Sequence, residues 1–210
     1  MKKPLINKRN MKKYISKEPA NISESFLDEQ LRIRNIIRKE GEEDKKFGFD
    51  LPYKHFLKLM YACFTSQSYS GRIEARIIIE YGLTKIGADL DRGDCINKNR
   101  KYGEIKVSYK TLKNQFNFVQ IRPHQDLDFY ILQCINQDED FRVYNFFLTK
   151  AQMTTFMEMF GASNCHGVVE NKTDRTKEEK RMTVTFESDA WKHLMDNHLT
   201  EEIVKTLQEF

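Results

Sequence analysis

Two apolar runs, residues 129–135 (Phe-Tyr-Ile-Leu-Gln-Cys-Ile) and 141–148 (Phe-Arg-Val-Tyr-Asn-Phe-Phe-Leu), are separated only by the polar stretch Asn136-Gln-Asp-Glu-Asp. Short segments rich in aromatic and β-branched residues, broken by turn-forming side chains, read as a pair of neighbouring strands. The flanking segments have helical spacing. Upstream, 53–67 carries Tyr53, Phe56, Leu57, Leu59, Met60 and Phe64 as one buried helix. A second helix from about Ser70 places Ile73, Ile77, Ile78 and Tyr81 on one side and exits at Gly82 and Gly87. Downstream, Thr149 caps a helix bearing Met153, Phe156, Met157 and Phe160 that stops at Gly161. A strand at Met182–Phe186, a helix from about Asp189 and a restart at Thr200-Glu-Glu close the chain. Residues 111–127 fit neither period, and Pro123 interrupts any helix there. Helices on either side of strands predict an α/β protein with a central mixed β-sheet flanked by helices.

Charge divides the chain unevenly. Residues 1–18 hold Lys2, Lys3, Lys8, Arg9, Lys12, Lys13 and Lys17 against Glu18 alone, whereas the other 28 basic and 30 acidic residues nearly cancel. A basic N-terminal arm over 1–20 is therefore expected, either as a nucleic-acid contact or as a solubilising tail. A charged helical pattern with Phe26, Leu27, Leu31, Ile33, Ile36 and Ile37 follows and ends near Gly41. No apolar run reaches the length of a membrane span, and no export signal follows the basic start, so a soluble, cytoplasmic protein is expected. Cys63, Cys95, Cys134 and Cys165 lie far apart without a C-x-x-C pair, which favours free thiols.

The chemistry concentrates in a predicted hairpin. A short strand at Asp94–Ile96, a turn through Asn97-Lys-Asn-Arg-Lys and a strand over Tyr102–Ser108 bring Asp94 near Glu104 and Lys106. Strand alternation puts Glu104 and Lys106 on one face, with Ile105 and Val107 directed into a core. Gly93 and Gly103 allow close backbone approach. Two carboxylates, the Ile105 carbonyl and an ammonium suit a hard divalent cation and an oriented water, the equipment of phosphodiester hydrolysis. The competing reading is a solvated edge strand with Glu104 and Lys106 on its wet face.

Glu74 on a helix, Gly93-Asp94, and Glu104-Ile105-Lys106 on a strand together resemble the PD-(D/E)xK nuclease superfamily, above all type II restriction endonucleases. The resemblance spans about residues 70–190; Gly93 stands where that motif often has proline. It implies a restriction-endonuclease-like core within a single domain over 21–210. Asp94 and Glu104 would be Mg²⁺ ligands with the Ile105 carbonyl, Lys106 would orient the water, and Glu74 would be the helix acid. Asp89 and Asp91 compete for the place given to Asp94. The implied activity is site-specific cleavage of double-stranded DNA by a homodimer, with a cognate DNA methyltransferase as genetic partner.

Other residues carry weaker signals. Gln120, Arg122, His124 and Gln125 form a polar run suited to bases or phosphates, or to an ordinary loop. His166, in a long polar stretch over 162–181, is a further DNA-contact candidate. Glu74, between Arg72 and Arg76, equally fits a surface ion pair. Two alternatives stand beside a restriction enzyme. One is a repair, recombination or mobile-element nuclease that reads DNA structure; the other is a non-catalytic nucleic-acid-binding module.

Overall fold

The computed structural model describes residues 24–87, 92–165 and 179–210. The chain divides at Asp44, so helix α1 (Glu24–Glu43) belongs to one compact unit and Lys45–Phe210 forms the other. The expected arm over 1–20 lies outside the described residues. Helix α1 is held along its charged surface by Glu29–Arg32 and Arg38–Glu42 pairs, at 2.7 and 2.9 Å.

In the larger unit, α2 (Tyr53–Cys63) buries Phe56, Leu57, Met60 and Cys63. Phe64 and Thr65 are extended, and α3 (Ser66–Glu80) begins immediately afterwards, four residues before the expected Ser70. Its first turn is Ser-Gln-Ser, which adds nothing to the apolar stripe and so is invisible to periodicity. Helix α3 ends in a Schellman motif: Gly82 has φ +65°, its N–H donates to the Ile79 carbonyl, and the Leu83 N–H donates to Ile78.

A mixed five-stranded sheet follows, with strand order β1-β2-β3-β5-β6. It comprises β1 (Thr84–Lys85), β2 (Cys95–Ile96), β3 (Tyr102–Tyr109), β5 (Phe129–Asn136) and β6 (Arg142–Thr149). The hairpin β2–β3 and the pair β5–β6 are antiparallel, while β3 runs parallel to β5 from Gly103↔Phe129 to Tyr109↔Ile135. All eight residues of β5 are buried, as a central strand requires. The turn of the β2–β3 hairpin is tied to the last helix, because Asn97 and Asn99 donate to the Leu207 and Gln208 carbonyls at 3.0 and 3.1 Å.

The expected single sheet is incomplete. A second sheet, in the order β4-β8-β7, contains β4 (Gln115–Ile121), β7 (Ser163–Asn164) and β8 (Lys180–Thr185). Strand β4 lies in the segment that fitted neither period, and the cause is a bulge. Phe116, Phe118 and Ile121 are all buried, but the pairing with β8 slips between Phe118 and Ile121. One extra residue moves the apolar positions from even to odd numbers. The parallel crossover from β3 to β5 therefore runs through a strand of the other sheet.

The core fills the space between the sheets and the helices α4 (Lys150–Phe160) and α5 (Asp189–Asn197). Tyr130, Leu132, Phe146, Leu148, Phe116, Val184, Phe156 and Leu194 meet there, with Trp191 stacked on Phe116 at 5.2 Å. Thr149 and Gln152 form a capping box at the start of α4, and Gly161 ends it. The final helix α6 (Ile203–Glu209) starts three residues beyond the expected restart. The four cysteines are buried and form no disulfide with one another. Among the described residues no helix is long and apolar enough to cross a membrane.

Candidate active site

The site is assembled at the edge of β3, where β2 is only two residues long and leaves the rest of that edge without a strand. Gly93 has φ +85°, and a Cβ there would lie 2.5 Å from both the Gly103 carbonyl oxygen and the Leu127 side chain. At Gly103 a Cβ would meet the Phe129 ring at 2.2 Å. Only glycine at both places lets the segments close. The closure brings the Asp94 N–H to the Gly103 carbonyl at 2.8 Å. One residue pair further, the Asp94 carboxylate takes the place of a missing strand, its Oδ2 accepting from the Ile105 N–H at 3.0 Å. N–H and C=O of one strand residue point to the same side, so the Ile105 carbonyl projects from this same edge.

Glu104 and Lys106 occupy the neighbouring face of β3, as alternation predicts, and Ile105 is buried on the other. The face is not wet, however. Strand β4 lies against it, with the Asn117 N–H donating to Ser108 Oγ at 2.8 Å. Glu104 is 2% exposed and its Oε1 sits 2.5 Å from Lys106 Nζ. The solvated-edge reading therefore does not describe this pair. A buried charge needs a partner, and here each supplies the other.

Glu74 reaches the group from α3. Because Ile73 and Ile77 are buried against the sheet, Glu74 falls on the flank of the helix beside Asp94. Neither flanking arginine pairs with it: Arg72 bonds Ser68, and Arg76 bonds Glu80 and the Gly48 and Leu51 carbonyls. Among the described residues Glu74 forms an ion pair with Lys85 on β1, at 3.8 Å. Burial, and then the charge of Asp94, push the Glu74 carboxyl up to about 7; Glu104 adds to this while Lys85 and Lys106 oppose it. Burial also raises Glu104, against the pull of Lys106 and Arg122 and with a push from Asp94. The Cys95 thiol beneath the site is raised by burial and by all three carboxylates. Tyr130, opposite Glu104 in the β3–β5 register, is raised by burial and by Glu104.

Three carboxylates thus repel one another in a poorly solvated place, an arrangement that a divalent cation relieves. Among the described residues no three His, Cys, Asp or Glu side chains form a ready cage for a metal. The donors that converge are the Asp94 and Glu104 carboxylates and the Ile105 carbonyl, hard oxygens of the number Mg²⁺ accepts when it keeps most of its waters.

The polar run after β4 splits. Gln120 is exposed and sits in the bulge at φ +55°. Arg122 is half-exposed, its Nε donating to Glu179 Oε1 at 2.9 Å, and His124 is exposed. Gln125 turns inward at 4% exposure, and its carbonyl accepts from Lys150 Nζ at 2.6 Å. His166, Asp89 and Asp91 lie outside the described residues. Sequence reasoning missed Lys85, Glu179 and Tyr130: Lys85 sits on a two-residue strand with no period, and the other two become neighbours only through strand register. No protein-family model matches the chain, and no curated protein matches it.

Proposed function

We propose that the chain is a Mg²⁺-dependent endonuclease that hydrolyses phosphodiester bonds of double-stranded DNA, in the manner of a type II restriction enzyme. The observation that carries this reading is the docking of the Asp94 carboxylate onto the Ile105 N–H beside the buried Glu104–Lys106 pair. Asp94, Glu104 and the Ile105 carbonyl would hold the cation. When bound, it neutralises phosphate charge and lowers the pKa of water. The chain's own groups do the rest. The Ile105 N–H fixes the orientation of Asp94 and leaves its other oxygen available. Lys106 favours the ionised form of Glu104 against its burial and directs an N–H at the attacking water. In the reaction, the water gives up a proton to solvent and its oxygen bonds to phosphorus as the bond from phosphorus to O3′ breaks. The departing electron pair takes a proton from solvent, giving 5′-phosphate and 3′-hydroxyl ends. Symmetric cutting of a palindrome calls for a two-fold homodimer, and a cognate methyltransferase would protect the host's own sites.

A second reading is favoured by the burial of Glu104 itself. The pair with Lys106 would then simply hold β3 beneath β4, in a protein that binds nucleic acid without cutting it. The two readings part on Asp94→Ala and Lys106→Ala. With Mg²⁺ and phage DNA, the wild type should yield discrete fragments and both variants none, while DNA binding without Mg²⁺ survives in all three. Undiminished cutting by both variants, or none by the wild type, would remove the nuclease assignment.

A further inference from the structure

We propose that Arg122 is a catalytic residue of this site that grips the phosphate being cleaved, and that Glu179 positions it; the proposal rests on the nuclease reading above.

The path of the chain supports this first. After β3 the chain folds back, and the bond from the Asn117 N–H to Ser108 Oγ lays β4 against the face that carries Glu104 and Lys106. From Asn117 to Arg122 the chain can cover at most about 16 Å, a little less with the bulge at Gln120, against about 13 Å from Ser108 back to Glu104. Arg122 therefore arrives at the Glu104 end of the gap between the sheets. Burial raises the Glu104 carboxyl overall, and the guanidinium lies near enough to oppose that rise slightly.

The bulge decides where the arginine points. An unbroken alternation after Phe116 and Phe118 would drive residue 122 into the apolar core. Instead β4 uses three steps from Phe118 to Ile121 where β8 uses two, from Met182 to Lys180. Gln120 takes φ +55° to make this possible, and its N–H is held by Cys165 Sγ at 3.4 Å. Ile121 then fills the core and Arg122 is left at the rim with its side chain 36% exposed. Bulges beside active sites commonly re-aim one side chain in this way. A turn closed by the Gln125 N–H on the Arg122 carbonyl, at 3.1 Å, fixes the backbone next to it.

The guanidinium is held but not used up. Glu179 accepts from Nε at 2.9 Å, and among the described residues no hydrogen bond engages the two terminal nitrogens. That fork matches two oxygens of a phosphate. It also answers a problem of the site itself, whose three carboxylates repel a phosphodiester. A fixed guanidinium on the opposite rim offsets that repulsion and stabilises the charge of the five-coordinate transition state without moving.

The test uses the full chain and separates this proposal from the reading beneath it. Binding of a duplex DNA fragment is measured against NaCl concentration with Ca²⁺ in place of Mg²⁺, and single-turnover cleavage is measured with Mg²⁺ at saturating DNA. Arg122→Ala should lower the slope of log affinity against log salt by about 0.9, the signature of one lost phosphate contact. It should also slow cleavage by about 10²–10³-fold. Arg122→Lys, which keeps the charge and the fold, should recover the slope but only part of the rate. Glu179→Gln should slow cleavage by less than Arg122→Ala and leave the slope unchanged. Wild-type cleavage with an unaltered rate or an unaltered slope in Arg122→Ala would overturn the role of Arg122 alone. Absence of wild-type cleavage would overturn the nuclease reading and this proposal with it.

Discussion

Two buried polar clusters lie on opposite faces of the five-stranded sheet, and they are built on opposite principles. On the face covered by α2 and α3, Tyr53 donates to Gln133 at 2.6 Å, and Gln133 donates to Asn145 and Tyr81 at 2.9 and 3.2 Å. Tyr81 in turn reaches Asn145 at 3.1 Å. All members are neutral, and Gln133 is fully buried with both ends of its amide occupied. On the other face Glu104 is buried against Lys106, with Asp94 at the strand edge and Glu74 reaching round from α3, and the Glu74 and Glu104 carboxyls are pushed upward. A satisfied neutral network fixes a fold. A group of carboxylates that repel one another where solvent is scarce is what a divalent cation would relieve, as the proposed reading requires.

The contrast can be broken by exchange of single groups. Asp94→Asn should retain the contact with the Ile105 N–H through its amide oxygen yet lower the cleavage rate by about 10³-fold or more, measured as single turnover at saturating DNA. Its melting temperature should stay close to wild type. Glu74→Gln should do the reverse and stabilise the metal-free protein. The folded state keeps the Glu74 proton up to about pH 7, whereas the unfolded chain releases it near 4.5, as an ordinary glutamate does. Stability is therefore lost as pH rises between those values, and the deficit persists above. The gain from Glu74→Gln should be absent near pH 4 and reach about 3 kcal/mol by pH 8, by urea denaturation at each pH. An equal gain at both pH values would break the link to titration.

In the neutral network the signs invert. Gln133→Leu strands the Tyr53 hydroxyl and leaves Asn145 with Tyr81 as its one remaining donor in this network, and should cost about 2–3 kcal/mol at every pH. A smaller loss, about 1–2 kcal/mol, is expected for Gly161→Ala, where φ is +85° but a Cβ would meet nothing within 4 Å. Gly93→Ala combines the same backbone strain with a collision at 2.5 Å, so it should lose cleavage as well as stability.

The hairpin, the strand pair and the capped helix α4 are legible because each rests on local signals: two-residue alternation, a polar turn, and Thr149 with Gln152 and Gly161. Asp94, Glu104 and Lys106 are legible as a motif for the same reason. The burial of Glu104 is not, because it depends on β4, whose alternation is broken by one residue between Phe118 and Ile121 and whose partner β8 comes from the far end of the chain. Lys85 and Glu179 join the site through pairing alone. The charges of the hairpin were readable; the sheet that covers them, and the charges it brings, were not.

The central claim is that Asp94 and Glu104 form one divalent-cation site at the edge of β3. Calorimetric titration of Mn²⁺ into the wild type and Asp94→Asn, at pH values below and above 7, tests it most directly. One binding event per chain is expected in the wild type, with affinity rising across pH 7 as Glu74 releases its proton, and none in the variant. Equal binding by both proteins, or no binding by the wild type, would contradict the account.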